Sequence, residues 1–361
     1  MKYFSQPAGI ITPLAGFPDS NYEIAENGVT MKPTDRRSFL KIAGTSLGIG
    51  VLYSAFPAAK ASGEAGDMFA SLGRANGEKV EPFSFIQLSD AHVGFNGPPD
   101  PLGTKAFERA VDMVNALPKR PDLVLFTGDL THDTEDKDVH SQRMKQFQEI
   151  TKKLNVPLIK CVPGEHDAGL DAGALYREFF GESHYSFDHR GVHFVALDNV
   201  SRAKPEVGTE QLEWLKKDLA RFPKTAPIVV FTHRPLFDLR PDWEWFTSDG
   251  DDVMNVLSAY DNLTVLYGHI HRDDEHETGN VHHYASRSLI FAFPDATTPG
   301  QRKPIPFDKD HPFKNLGIRT VEFNGKPNPG SSPLSIEDVE LTAREFRGIN
   351  GVHQFLKNPA V

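Results

Sequence analysis

Cysteine is nearly absent. The 361 residues hold one, Cys161, so no internal disulfide can form. In the apolar run PLIKCVPG (157–164) it reads as a small buried side chain rather than a thiolate ligand. Positive charge is also short: 39 Lys and Arg face 49 Asp and Glu, a net charge of −10. That argues against a general nucleic-acid binder, which needs a basic face, and suits a protein that collects metal cations. Internal repeats and low-complexity tracts are missing as well. With 39% hydrophobic and 24% charged residues the composition is that of an ordinary globular protein, and the length allows one large domain or two modest ones. Glycine (29) and proline (27) are frequent, so many turns are expected.

Acidic residues are absent from the weakly apolar run that follows a basic pair near the start. TDRRSFLKIAGTSLGIGVLYSAFPAAKASG (34–63) has a basic pair, Arg36 and Arg37, then a weakly apolar run, then Ala59-Lys60-Ala61. This is the order of an export signal, and the Arg-Arg-x-Phe-Leu-Lys core resembles a twin-arginine signal. Asp35 departs from the Ser or Thr usual before the pair. The resemblance implies the twin-arginine translocation machinery as a partner, a periplasmic or secreted location, and no stable membrane span once the signal is cleaved. An uncleaved anchor is the alternative, since about twenty residues come near the minimum that spans a bilayer. MKPTDRRSFLK would begin a normal signal by itself, so Met31 is a candidate true start. Residues 1–61 are therefore read as a signal peptide, 62–80 as a polar linker, 81–325 as the functional domain and 326–361 as a tail ending in a short helix.

From residue 83 short β-rich runs alternate with helical spacings. FSFIQL (83–88), DLVLFTG (122–128) and PLIKCV (157–162) read as strands, separated by helices over 104–117 and 138–154. This β-α-β-α-β order predicts parallel pairing. HYSFDHRGVHFVALD (184–198) then reads as two strands turning at Arg190-Gly191, followed by an amphipathic helix over 209–222. PIVVFTH (227–233), LTVLYGH (263–269), HHYASRSLIFAF (282–293) and LGIRTVEF (316–323) read as further strands. The expected class is α/β, two packed sheets with helices outside.

Five apolar strands each end in ionisable residues: Asp90 and His92; Asp129; Glu165, His166 and Asp167; His233; His269 and His271. Ligands bind at the carboxyl ends of parallel strands, so these groups should converge in one cleft. Buried carboxylates need neutralising, and bound cations do it. Mixed Asp and His sets suit Zn, Mn and Fe. Asp90 and His92 are two apart, which in an extended segment puts both on one side, within reach of one metal; His269 and His271 share that spacing. The candidates outnumber what one ion can hold, so two are implied. Taken singly, Asp-x-His is common in loops, Gly-Asp after a strand is a common turn, Thr-His says nothing and Gly-His-x-His is moderately specific; their order within one domain carries the reading. His193 reads as part of a strand. His132, His184 and His189 read as surface or supporting residues, and His276, His282 and His283 as weaker cleft candidates.

The order Asp-x-His, Gly-Asp-x-x-x-Asp, Gly-Glu-His-Asp, His, Gly-His-x-His resembles the calcineurin-like metallophosphoesterases over residues 83–323, and TEQLEWLKKDL (209–219) resembles a helix of their phosphodiesterase-type branch. The resemblance implies a four-layer sandwich of two mixed β-sheets flanked by helices. It implies that Asp90, His92 and His271 bind one metal, that Asp129 bridges, and that His233, His269 and residue 165 bind the second. It makes His166 the catalytic residue beside the leaving group, with Asp133 and Asp167 in support. The cofactors would be two divalent or mixed-valent ions (Fe, Mn or Zn), and the substrate a small phosphate ester.

One residue departs from the pattern. Glu165 stands where the family has Asn. A third carboxylate would lower the positive charge of the pair, favour a trivalent ion, and weaken attraction for a phosphate monoester dianion. The expected activity is therefore an exported phosphodiesterase. The alternatives are a phosphomonoesterase, or a non-hydrolytic metal-binding or accessory protein.

Overall fold

The computed structural model describes residues 81–324 and 334–342 in full, and four short strands outside them. The chain divides into two units, residues 1–67 and 68–361. In the first, β1 (Tyr22–Ala25) and β2 (Gly28–Met31) form an antiparallel pair with Tyr22 opposite Met31. The arginine pair, the apolar run of the signal and the 62–80 linker lie outside the described residues. Among the described residues no helix is long and apolar enough to cross a membrane.

The second unit begins with the expected alternation: β3 (Phe83–Leu88), α1 (Lys105–Ala116), β4 (Leu123–Thr127), α2 (Lys137–Thr151) and β5 (Leu158–Val162). The helix α2 starts where the Asp136 carboxylate accepts from the amides of Asp138 and Val139, satisfying two of the donors a helix leaves open at its start. Two short helices come next, α3 (Glu165–Ala168) and α4 (Ala174–Phe180). Then come β6 (Tyr185–His189), β7 (Val192–Ala196), α5 (Thr209–Leu219), β8 (Pro227–Phe231), α6 (Gly250–Leu257), β9 (Asn262–Tyr267), β10 (Asp274–Thr278), β11 (Val281–Ala285), β12 (Gly317–Phe323) and β13 (Leu334–Glu340). The turn between β6 and β7 is at Arg190 and Gly191, both left-handed, as that tight connection requires.

These strands form two mixed sheets, of order β10-β11-β9-β8-β7-β6 and β13-β12-β3-β4-β5. Parallel pairing runs through β3-β4-β5 and β7-β8-β9-β11; β6, β10 and β13 are antiparallel edge strands, while β5 is an edge strand parallel to β4. Alternation along each strand assigns its two faces. Phe83, Phe85, Leu123 and Leu125 meet Phe194, Ala196, Val229 and Phe231 between the sheets. Ile86, Leu88, Val124 and Phe126 point the other way, onto Phe107, Val111 and Phe147 of α1 and α2. Val195, Ile228, Val230 and Val265 likewise pack on Leu215 and Leu219 of α5 and Val253 and Leu257 of α6. The result is the helix-sheet-sheet-helix sandwich the sequence predicts.

Two expectations are corrected. The run 282–293 is a strand only to Ala285. The C-terminal segment is not helical where it is described: Leu334–Glu340 pairs along the whole of β12, Leu334 opposite Phe323 and Glu340 opposite Gly317, so it is the edge strand of a sheet. It has an apolar side chain for each layer, with Leu334 and Ile336 against the core between the sheets and Val339 against the helix side. Beyond it, β14 (Glu345–Arg347) and β15 (His353–Phe355) pair with each other.

Candidate metal centre

Five loops leave the carboxyl ends of β3, β4, β5, β8 and β9 on one side of the sandwich. Backbone bonds tie them together: the Asp90 amide donates to the Gly128 carbonyl (3.1 Å), that of His92 to Asp129 (2.9 Å) and that of Gly268 to His233 (2.9 Å). The approach is close enough to demand glycine at two points. A Cβ on Gly164 would fall 2.0 Å from Oδ1 of Asp129, and one on Gly268 2.0 Å from Oγ of Ser89.

The loops carry an uncommon backbone. Asp90 (φ 54°), His92 (42°), Asp129 (48°), His269 (66°) and His271 (53°) are all left-handed. Non-glycine residues rarely adopt that region, and such conformations cluster at functional sites. It also corrects the spacing argument, which assumed extended segments. Asp90 and His92 do fall in one group, whereas His269 and His271 are divided between two, the division that the family resemblance implies and spacing alone does not.

Those two groups are Asp90, His92, Asp129 and His271, and Asp129, Glu165, His233 and His269; within each, the ligand atoms lie within 4.8 Å of one another. Asp129 belongs to both. Its Oδ2 is 3.3 Å from Nε2 of His92 and 3.4 Å from Nε2 of His233. In the first group, Nε2 of His271 is 3.2 Å from Nε2 of His92 and 3.4 Å from Oδ1 of Asp90. In the second, Glu165 places Oε2 2.8 Å from Nε2 of His233 and Oε1 2.8 Å from Nδ1 of His269. All seven residues are buried except Glu165, whose side chain is 24% exposed.

The hydrogen bonding suits cation binding. Three ring N–H groups donate outward to carbonyls: His233 Nδ1 to Thr127 (2.7 Å), His269 Nε2 to Glu244 (3.0 Å) and His271 Nδ1 to Phe291 (2.8 Å). Each fixes a tautomer whose other nitrogen turns a lone pair into the cluster. Oε2 of Glu165 and Nε2 of His233, although 2.8 Å apart, have no hydrogen-bond partner. Two buried polar atoms that face each other without bonding are placed as two ligands of one ion would be. The mixed N and O donors fit Zn, Mn or Fe.

Without cations the cluster is electrostatically strained. Burial, with Asp129 and Glu165 adding, pushes the Asp90 carboxyl up to about 8. Burial pushes the His271 ring down to about 3. Burial opposes ionisation of Glu165, yet His269, His233 and Arg234 together hold it well below the usual carboxylate range. Burial likewise opposes protonation of His233, and Asp129 and Glu165 override it. Divalent charge at the centre would relieve this competition.

His166 stands beside both groups. Its amide donates to Oδ1 of Asp129 (3.0 Å), its Nδ1 is hydrogen-bonded to Asp133, and its ring stacks on His132 at 4.7 Å. Burial would lower its affinity for a proton, but Asp129, the Asp133 bond and Glu165 raise it to about 9. The ring is 29% exposed and so can present a proton to the cleft.

Asp167 has a different place from Asp133. It accepts from the amides of Gly164 (2.9 Å), Leu130 (2.9 Å) and Thr131 (2.8 Å) and from the Thr131 hydroxyl (2.9 Å), and so pins the β4 and β5 loops together rather than orienting His166. His132 lies nearer the centre than its sequence context suggested, grouped with His92 and His166. His276 and His283 pack on Phe237 instead, and with His282 belong to none of the groups found among the described residues. Cys161 is in none of them either, and burial pushes its thiol up. Sequence reasoning missed Arg234, whose Nη2 is 3.3 Å from Oε1 of Glu165, and the carbonyls of Glu244 and Phe291. Arg234 directly follows a candidate ligand; the carbonyls leave no trace in the sequence.

Known proteins resemble this arrangement. A family described as calcineurin-like phosphoesterase matches residues 83–273. A probable glycerophosphodiester phosphodiesterase of Arcobacter nitrofigilis is 29% identical over 204 residues, 52% of this chain and 71% of that protein. A 3',5'-cyclic-nucleotide phosphodiesterase of Nostoc is 23% identical over 225 residues, 60% and 82% of the two chains. A mouse serine/threonine-protein phosphatase, CPPED1, is 27% identical over 221 residues, 53% and 70%. Among solved structures, a purple acid phosphatase from yellow lupin seeds superposes with a TM-score of 0.53 at 14% identity, over 73% of this chain and 52% of that one. The chain thus spans about half of that phosphatase, with which it shares the fold.

Proposed function

The chain belongs to the calcineurin-like phosphoesterase family, whose members act on phosphate ester bonds, and we propose that it is an exported, two-metal phosphodiesterase. The observation that carries the reading is the pair of four-residue groups joined through Oδ2 of Asp129. Asp90, His92 and His271 would hold one ion, Glu165, His233 and His269 the other, and Asp129 both. Such ions, when bound, supply Lewis acidity toward phosphoryl oxygens and acidify water. The chain supplies the rest. The buried loops hold the ligands in place and exclude bulk water. His166 would give its proton to the departing alkoxide, while Asp133 holds the ring through Nδ1 so that Nε2 faces the ester.

The preference for diesters draws support from the phosphodiesterase names of two relatives. Glu165 adds nothing to it. Arg234 lies against that carboxylate and returns the positive charge that the extra acid removes, so neither a trivalent ion nor a weaker hold on monoesters follows from it. A phosphomonoesterase is the second reading, favoured by the phosphatase name of another relative. An accessory protein without turnover is disfavoured by the Asp133–His166 pair, which a pure metal binder has no use for. Export rests on the Arg36-Arg37 signal, with the translocation machinery as partner and the periplasm or the exterior as destination.

Metal analysis of protein recovered from its native compartment, followed by bis(p-nitrophenyl) phosphate and p-nitrophenyl phosphate assays, tests the whole reading. Two ions per chain and higher kcat/KM on the diester are expected. A monoester preference selects the second reading, and bound metal with no turnover selects the accessory protein.

A further inference from the structure

Arg234 enters a closed circuit. Its Nη2 is 3.3 Å from Oε1 of Glu165, and that same oxygen is 2.8 Å from Nδ1 of His269. Nε2 of His269 donates to the Glu244 carbonyl (3.0 Å), and Nη1 of Arg234 donates to that carbonyl as well (2.9 Å). One guanidinium therefore braces a side chain and a main-chain group that between them fix two ligands of the second set. Glu244 holds its carbonyl there from a left-handed backbone (φ 61°), a conformation that needs support. Arg234 is itself anchored. The amide of the buried Asn199 donates to the Arg234 carbonyl (3.0 Å) and its oxygen accepts from the Arg234 amide (3.3 Å), while Nε of Arg234 is buried with no partner. Such a brace suits the planar fork of arginine, which presents donors in fixed directions.

The charges point the same way. Asp90, Asp129 and Glu165 bring three negatives, and Arg234 offsets one. The remainder equals that of a site with a neutral amide at 165 and no arginine. We propose that Arg234 is a positioning residue that makes Glu165 workable as a ligand: it sets the carboxylate and the His269 ring together and returns the site's charge to two negatives. This rests on the two-metal reading above and goes beyond it, because it makes residues 165 and 234 one unit whose halves are not separately replaceable.

The test is a double-mutant cycle on purified full-length chain, read by Mn2+ titration calorimetry and by kcat and KM on bis(p-nitrophenyl) phosphate. Glu165→Gln alone leaves an unpaired cation beside the second ligand set and should weaken the second Mn2+ by about tenfold or more, the scale of coupling seen between contacting groups. Arg234→Met alone should retain two Mn2+ but raise KM for the anionic diester. Glu165→Gln with Arg234→Met should bind the second Mn2+ within about threefold of wild type, so that the second change repairs the first. Additive losses, with the double variant no better than Glu165→Gln, would overturn the proposal. Should Arg234→Met fail to fold by circular dichroism, Arg234→Lys takes its place. Lysine keeps the charge and loses the fork, so Mn2+ affinity should hold while kcat falls; an unchanged kcat overturns the proposal too. Two Mn2+ and turnover in the wild type belong to the functional reading, so failure there is distinguishable from failure of the cycle.

Discussion

The carbonyl of Thr127 lies 2.7 Å from Nδ1 of His233. Thr127 ends β4 in the five-stranded sheet, and His233 comes after β8 in the six-stranded one. The two sheets are thus joined at their ligand-bearing ends. Both ligand groups repeat the pattern, since each combines residues from both sheets.

Cations bound there would cross-link the sheets, so stability should depend on metal. At a free concentration one hundred times Kd, one site contributes about 2.7 kcal/mol, or roughly 5–10 °C in Tm for a domain of this size. Thermal melts with EDTA and with added Mn2+ or Zn2+ check this. An identical Tm in both would count against metal binding.

His166→Ala should lower kcat by about 10²–10⁴ with metal content near that of the wild type. Asp133→Asn, which leaves the ring without its anionic partner, should cost less, roughly tenfold. Metal analysis beside the kinetics separates the roles: loss of an ion in His166→Ala would move His166 into the ligand set.

Asp167→Ala should destabilise the fold by about 3–5 kcal/mol, because three amides and a hydroxyl lose a buried acceptor together. Urea unfolding of the metal-free protein reads this directly. A change below about 1 kcal/mol would mean that the loops hold their shape without it.

His193 gives a pH dependence far from the metal groups. It is buried between Asp188 and Asp218, 2.7 Å from each. Burial disfavours its charge, but the two carboxylates raise its proton affinity above the ordinary value. A raised folded value stabilises fully below the unfolded pKa of about 6.5 and is lost as pH rises through the folded one. Asp218 is depressed, against burial, by His193 and Arg221, so its share is present above the ordinary carboxylate range and fails as pH falls through the folded value. Denaturant midpoints should therefore decline above pH 6.5 in the wild type and less steeply in His193→Asn. Parallel slopes would reject the assignment.

The strand-end groups were legible because each comes after an apolar run whose alternation fixes both its type and its end. FSFIQL and PIVVF need no tertiary information to be read as strands, and parallel order sends their ends to one side. The loops beyond the strands were less legible. Asp-x-His and His-x-His have the same spacing, yet Asp90 and His92 share a group whereas His269 and His271 separate. Left-handed turns and the meeting of two sheets decide that, and neither is a local property. The Arg234 brace depends on the carbonyl of Glu244, a residue with no sequence mark. The edge strand Leu334–Glu340 was hidden by the Pro/Gly/Ser-rich stretch before it and by apolar residues that serve two layers in turn.

The left-handed candidate ligands also limit which replacements the chain can accept. At Asp90, His92, Asp129, His269 and His271 the backbone admits few side chains at low cost: glycine, asparagine, aspartate and histidine. Three of those four are also metal ligands. Geometry and coordination chemistry thus narrow the same five positions to nearly the same alphabet, and a change there fails on both counts. Glu165 is free of the first constraint. It opens the short helix Glu165–Ala168, and its φ is not positive. Only chemistry restricts that position, and chemistry can be negotiated by a neighbour such as Arg234. Of the candidate ligand positions, this is one at which the backbone leaves room for a new residue type, and it is the one at which the family resemblance implies asparagine instead.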